Sequence, residues 1–323
     1  MILRLSQPYE QTLLNTLKER VDAAKQILTT DKITKYRAWW VKMRKKSGTV
    51  PTKEEADKFA KLYQSFTRRV VEEGYRPYDD NPIKITVQGD GRLGCYDGNH
   101  RLCALAAAGV EEIEVVDHWV SETWATLVSK LKGTVYQPHP HPSFNGWTVS
   151  RPDTADRYRE IALRLLKMDC KTAFEIGPCA GTGVQAMAAA GLGMSWCESS
   201  VAYSTLCRSL SALQVSTEEV KSILSAPATD AVMGLAVWHH VATSLDALDD
   251  AAEHLAGARV HVVELPTPEA PRWHRGYIED SEQTTEDLPE WTLNRLQEAG
   301  KYTHREILRS EPYGNRTTWI MWR

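Results

Sequence analysis

Phe174-Glu175-Ile176-Gly177-Pro178-Cys179-Ala180-Gly181-Thr182-Gly183 gathers an acid, glycines and a cysteine into one short stretch. Glycines let a ligand approach the main chain more closely than any Cβ would permit, and they tolerate positive φ. The chemistry this suits is the cradling of a nucleotide. Glu198 closes the next apolar run, Met194 to Cys197, where a carboxylate can accept both hydroxyl protons of a ribose. His239 and His240 follow the apolar run Ala231 to Trp238, and an imidazole there can take a proton near neutral pH. Either one is a candidate catalytic base; the plain alternative is that they hold the loop. A second cluster, Asp97-Gly98-Asn99-His100-Arg101, sets a glycine turn beside an arginine at the start of an alanine-rich run. Unpaired N–H groups at a helix start favour anions, so this turn suits a phosphate, or else it is a capped turn with Arg101 in a surface ion pair.

Each cluster needs a strand to deliver it and a helix to follow. Thr172 to Ile176 reads as a buried strand and Val184 to Ala190 as the helix after the turn. A helix from Ala155 to Met168 precedes them, and another runs from Val201 to Leu213. The third strand is weakly marked, around Val220 to Leu224. Arg259 to Leu265 is a further strand, ending at Glu264-Leu265-Pro266. The helix Glu286 to Ala299 and the strands His304 to Arg309 and Thr317 to Trp322 complete a seven-stranded pattern with an antiparallel last strand.

Upstream, one helix is expected from Pro8 to Leu28, with Leu13, Leu14, Leu17, Val21, Ala24 and Leu28 as its stripe. Thr52-Lys53-Glu54-Glu55 fits a capping box, and Phe59, Leu62, Tyr63, Phe66 and Val70 repeat at helical spacing until Gly74. Strands Ile83 to Val87 and Leu93 to Tyr96, a helix Leu102 to Ala108 and a strand Ile113 to Val116 follow. Gln137-Pro138-His139-Pro140-His141-Pro142 cannot be regular structure, because alternate prolines remove donors and restrict their neighbours. The division expected is a helical extension over 1–50, an α+β unit over 51–132, a Pro/His-rich linker over 133–152 and an α/β domain over 153–323.

The spacing Glu-x-Gly-x-x-x-Gly-x-Gly from Glu175, with Glu198 after the second strand, resembles the class I S-adenosylmethionine (SAM)-dependent methyltransferases over roughly 153–323. The resemblance implies a Rossmann-like α/β sheet, SAM as cofactor, and binding through Glu175, Gly177, Pro178, Gly181, Gly183, Glu198 and Trp238. No Gly-Lys-Ser/Thr for a triphosphate is present. The stretch 59–120, with Gln64-Ser65-Phe66, Glu73-Gly74, Pro82-Ile83 and Asp97-Gly98-Asn99-His100-Arg101-Leu102, resembles the ParB N-terminal/sulfiredoxin superfamily. That implies nucleotide phosphates at Asp97, Gly98, Asn99, His100 and Arg101, with ATP or another nucleotide as ligand. Asn99 stands where sulfiredoxins carry their reactive cysteine, and no helix-turn-helix follows. Members of that superfamily include kinases, so an ATP-dependent kinase joined to a SAM-binding domain is the second reading.

The acceptor is constrained by absence. The fourth strand ends in Trp238-His239-His240, not in the Asp/Asn-Pro-Pro-Tyr/Phe of DNA amino methyltransferases nor the Pro-Cys of cytosine-5 enzymes, and Pro178-Cys179 sits inside the glycine turn. A hydroxyl or similar group on a small polar or nucleotide-linked substrate is the expected acceptor. Lys32 to Lys46 carries seven cations and no acid, interleaved with Tyr36, Trp39 and Trp40. This is either a nucleic-acid contact with stacking rings or an amphipathic helix with its aromatics turned inward. With 323 residues, 42% hydrophobic, 25% charged and a net charge of −3, the chain is globular in composition and long enough for two domains. The six cysteines form no Cys-x-x-Cys pair, and His139 and His141 have no partner at zinc spacing, so no metal is expected. No apolar run approaches a membrane span and Met1 to Gln7 lacks a signal pattern, so the expected location is cytoplasmic.

Overall fold

A computed structural model describes residues 1–73, 82–210, 217–241, 244–266, 281–284, 286–311 and 316–323, without the side chains of His239, Val241, Arg309, Ser310 and Glu311. The helix stop expected at Gly74 and the helix end expected at Leu213 lie outside the described residues. The chain divides into two units, one made of Met1–Thr134 with Pro140–Thr148, the other of Val135–His139 with Val149–Arg323. Residues 1–50 are built into the first unit, and the Pro/His stretch is shared between the two.

In unit 1 the order is β1 (Ile2–Arg4), α1 (Pro8–Thr16), α2 (Lys18–Thr30), α3 (Thr34–Lys46), α4 (Lys53–Glu73), β2 (Lys84–Val87), β3 (Leu93–Asp97), α5 (Asn99–Ala107), β4 (Glu112–Glu114), β5 (Val116–Val120) and α6 (Glu122–Leu131). The single helix expected over 8–28 is two, because Leu17 leaves helical geometry at φ −106° and ψ 9°. β1 pairs antiparallel with β4, which ties the N-terminal strand to the far end of the unit. β2 pairs antiparallel with β3 and parallel with β5. The capping box on α4 forms: Thr52 N–H donates to Glu55 Oε2 at 2.9 Å and Glu55 N–H to Thr52 Oγ1 at 3.1 Å. Ala23, Ala24 and Ala60 let α2 and α4 approach closely, and Ile27, Tyr36 and Tyr63 fill the space between helices.

Short strands β6 (Thr134–Val135) and β7 (Thr148–Val149) mark the crossings between units in the sequence. Unit 2 continues with α7 (Thr154–Lys167), β8 (Thr172–Ile176), α8 (Thr182–Ala189), β9 (Gly193–Cys197), α9 (Val201–Ser209), β10 (Thr217–Glu219), β11 (Ala231–Leu235), α10 (Trp238–Val241), α11 (Leu245–Leu255), β12 (Val260–Pro266), α12 (Leu288–Ala299), β13 (His304–Glu311) and β14 (Arg316–Trp322). One seven-stranded sheet runs β10-β9-β8-β11-β12-β14-β13. The pairs from β10 to β12 are parallel, and β14 is antiparallel to both β12 and β13. This is a Rossmann-like α/β sheet of seven strands, mostly parallel with β14 antiparallel, as expected.

The central strands are buried along almost their whole length, Thr172 at the start of β8 being partly exposed, so their sequences are apolar runs without alternation. Phe174, Val232, Val263 and Met321 face α11 and α12 on one side of the sheet; Ala173, Met233, Val262 and Ile320 share the other side with Tyr158, Ile161 and Leu165 of α7. Asp230 fixes the register at the entry edge, accepting from Lys171 N–H at 2.7 Å, Thr172 N–H at 3.0 Å and Thr172 Oγ1 at 3.2 Å. The strand order reverses between β8 and β11, and open sheets of this kind bind ligands beyond the carboxyl ends of the strands at that point.

Candidate cofactor and substrate site

A cavity of about 550 Å³ opens at the carboxyl ends of β8, β9 and β11. Gly177, the first residue after β8, lines it at φ +67°, the left-handed region in which a Cβ is strained. A Cβ there would also stand 2.8 Å from Val237 Cγ2. Glu198, the first residue after β9, is the one acid among the described lining residues. Cys179 N–H donates to its Oε2 at 3.0 Å and Ser200 N–H to its Oε1 at 2.8 Å. A carboxylate offers about four lone-pair sites, so Glu198 keeps acceptor capacity after bonding both turns. Ile176, Ile223, Leu235 and Val237 give apolar walls.

Of the residues expected to hold the cofactor, Gly177 and Glu198 line this cavity; Glu175, Pro178, Gly181, Gly183 and Trp238 do not. Glu175 is fully buried and accepts from the Tyr158 hydroxyl. Burial pushes its carboxyl up to about 7, against the pull of Tyr158 and the Arg157 charge. Gly181 caps α8 at φ +79°, and a Cβ on it would meet Cys207 Sγ and Leu210 Cδ1 at 2.7 Å. On Gly183 a Cβ would enter the Tyr158 ring, 2.1 Å from Cε1. Both glycines serve helix packing. Trp238 is fully buried in the core with its indole against Gly234, where a Cβ would lie 2.2 Å from Nε1.

His240 lines the cavity from α10 and is exposed. His239 belongs to the same short helix by its backbone, and its side chain is outside the described residues. Cys179, at φ +57°, and Cys197 also face the cavity. Burial pushes both thiols up to about 12, so neither is a thiolate near neutral pH. The third strand, expected around 220–224, is Thr217–Glu219; the segment expected as strand is the loop that brings Lys221, Ser222 and Ile223 to the cavity.

Arg157 and Arg316 complete the far wall. Arg157 Nη1 donates to Glu264 Oε2, Arg316 Nη1 donates to Glu264 Oε1 at 3.2 Å, and Arg151 lies 3.6 Å from the same fully buried carboxylate. Several buried guanidinium groups thus share Glu264, with Asp153 3.8 Å from Arg151. These residues are missed by motif reading because they come from the segment before α7, from α7 itself, and from β12 and β14. The signal that was available is an arginine on the inward stripe of an amphipathic helix, one turn before Ile161.

In unit 1, Asp97, Gly98, Asn99, His100 and Arg101 all line a separate cavity of about 560 Å³. Along α3 the rings turn inward and the cations outward: Tyr36 is buried, Trp40 stacks on Phe59 at 4.7 Å, and Lys42, Lys45 and Lys46 are exposed. His139, in unit 2, lies 3.4 Å from Ser209 Oγ; His141, in unit 1, donates from Nε2 to Gly91 O at 2.9 Å and accepts Ser143 N–H at Nδ1. No group of metal-ligating side chains occurs among the described residues, and none of the described helices is long and apolar enough to cross a membrane.

Comparison with protein families and with curated sequences finds no match. Solved structures that match include WbdD, at 19% identity and TM-score 0.46, covering 61% of this chain and 46% of that one. The methyltransferase domain of bacterial CtHen1 matches at 13% identity and TM-score 0.41, over 53% of this chain and 98% of the domain. Magnesium protoporphyrin IX methyltransferase (ChlM) of Synechocystis PCC 6803, solved with bound SAM, matches at 14% identity and TM-score 0.39, over 52% and 79%. A further structure describes WbdD as a bifunctional kinase-methyltransferase. This chain spans less than half the length of the WbdD chains it matches. At such identities the likeness is one of fold, and the strand order given above carries that assignment by itself.

Proposed function

We propose that unit 2 is a SAM-dependent methyltransferase acting on a hydroxyl or similar group of a small polar or nucleotide-linked substrate, and that unit 1 binds a nucleotide or phosphate through Asp97 to Arg101. The observation that carries the first part is Glu198, facing a cavity at the sheet's switch point while the main chain of two turns holds both its oxygens. The residues fit the cofactor: Glu198 has acceptor sites for ribose hydroxyls, Ile223 and Ile176 offer an apolar wall to a purine, and Gly177 brings main chain to the cavity without a Cβ.

SAM, when bound, supplies a methyl group already activated by its sulfonium. The protein's share is then alignment and proton removal. His240 takes the proton from the acceptor hydroxyl as its oxygen becomes nucleophilic, and exposure of the imidazole lets it return that proton to water. Arg157 and Arg316 hold the opposite wall in fixed orientation through Glu264.

Calorimetry with SAM tests the reading. Gly177→Trp fills the main-chain approach and is expected to abolish binding, with the melting temperature recorded as a control for folding. Undiminished affinity in that variant would overturn the assignment of the cavity.

A further inference from the structure

The cavity of unit 1 is walled by more than the Asp97 to Arg101 turn: Arg20 of α2, Tyr36 of α3, and Phe59, Tyr63 and Phe66 of α4 also line it. Arg20 lies outside the sequence stretch that suggested nucleotide binding. Its guanidinium sits over the Trp39 ring, 4.3 Å from the centroid, and among the described residues no carboxylate pairs with it and no hydrogen bond engages it. The other walls are mostly neutral. His100 exchanges a hydrogen bond with Tyr36 Oη at 2.9 Å, and burial holds its pKa down to about 4, so it carries no charge near neutral pH. Asp97 is the sole acid of the described lining, and its Oδ1 already accepts Gly98 N–H at 2.6 Å. Arg20 and Arg101 against Asp97 leave the lining one positive charge in excess. A partly buried cation that meets an aromatic ring but no carboxylate among the described residues leaves charge for an anionic ligand to meet.

The remaining wall is flat and aromatic. Tyr36 and Tyr63 are buried and stacked on each other at 4.2 Å and 25°, so the ring left open is Phe59, backed by Trp40 and 44% exposed. Such surfaces accept a planar base. We propose that Arg20 and the start of α5 form the phosphate end, and the exposed Phe59 ring the base end, of a nucleotide site, so that α2, α3 and α4 complete a pocket the turn alone does not make. This rests on the reading of unit 1 as nucleotide-binding and adds its second cation and its base-stacking face.

Calorimetry of the full chain with ATP, CTP and inorganic pyrophosphate separates the two. Arg20→Gln is expected to weaken ATP and pyrophosphate alike by about ten- to a hundredfold, the worth of a charge-assisted contact. Phe59→Ala, at an exposed position, is expected to weaken ATP about tenfold and to leave pyrophosphate unchanged. If Arg20→Gln does not fold, Arg20→Lys keeps the charge and loses the planar fork, and it must then weaken pyrophosphate several-fold. Nucleotide binding untouched by Arg20→Gln, or by Arg20→Lys in its place, overturns the role of Arg20. ATP affinity untouched by Phe59→Ala overturns the base-stacking face. Absence of binding by the unsubstituted protein for all three probes overturns the nucleotide reading itself.

Discussion

His240 and Glu198 face one cavity in opposite settings, one exposed, the other pinned by two main-chain donors. That difference predicts separable phenotypes. His240→Ala is expected to lower kcat by about a hundredfold to ten-thousandfold, the usual worth of a general base, while SAM affinity stays within about twofold. Steady-state kinetics beside calorimetry checks both halves; equal losses in affinity and turnover would assign His240 to binding. At this scale the sequence was legible where chemistry follows from a short spacing. Gly177 and Glu198 line the cavity of unit 2, and Asp97 to Arg101 line that of unit 1. Glu175 was not legible, because its burial is decided by Tyr158, too distant in sequence for a local spacing to point to it; Trp238 was read as the end of a strand and so its fit against Gly234, four residues before it, was missed.

The elements explain why some glycines of the turn are structural. α8 can lie against α7 and α9 only because Gly183 faces the Tyr158 ring and Gly181 faces Cys207 and Leu210. Gly183→Ala is expected to lower stability by about 1–3 kcal/mol through overpacking, visible as a reduced melting temperature, with a far smaller effect on SAM affinity than Gly177→Trp. Loss of affinity without loss of stability would return Gly183 to the binding site. β8 and β12, which run as buried apolar blocks, lie within one residue of where the sequence places them, whereas β11 ends at Leu235, short of the Trp238 expected, because Ala236 turns at φ +58° and Trp238 opens α10. β10 was displaced by several residues because Thr217-Glu218-Glu219 is a polar edge strand, held by backbone pairing to β9 with no apolar face to announce it. The break at Leu17 was likewise invisible, since an apolar stripe continues through it.

For the whole molecule, the buried ionisable groups set how stability follows pH. Burial holds His100 and His139 down to about 4 and His261 to about 3, so the unfolded chain binds protons below pH 6.5 that the folded chain refuses. Their stabilising contribution is present above 6.5 and is lost as pH falls towards 4. Glu175 acts in the opposite sense. Its folded pKa is about 7 against 4.5, so its contribution is present below 4.5 and is lost as pH rises through 7, by on the order of 3 kcal/mol. Melting temperatures from pH 8 to 4.5 are expected to fall below 6.5, the histidines outnumbering the acid. In Glu175→Gln the melting temperature relative to the unsubstituted protein should rise between pH 4.5 and 7 and then level. A flat difference across that window would mean that Glu175 is charged in the folded state.

Cys179 and Cys197 border the cavity as neutral, nearly inaccessible thiols. A thiol reagent therefore reaches them only in the intervals when the surrounding turns open, and its rate counts those openings. Whatever fills the cavity closes the same route. The two sulfurs thus serve as a built-in clock of occupancy, readable by the slowing of modification even for a ligand that carries no label and shows no turnover.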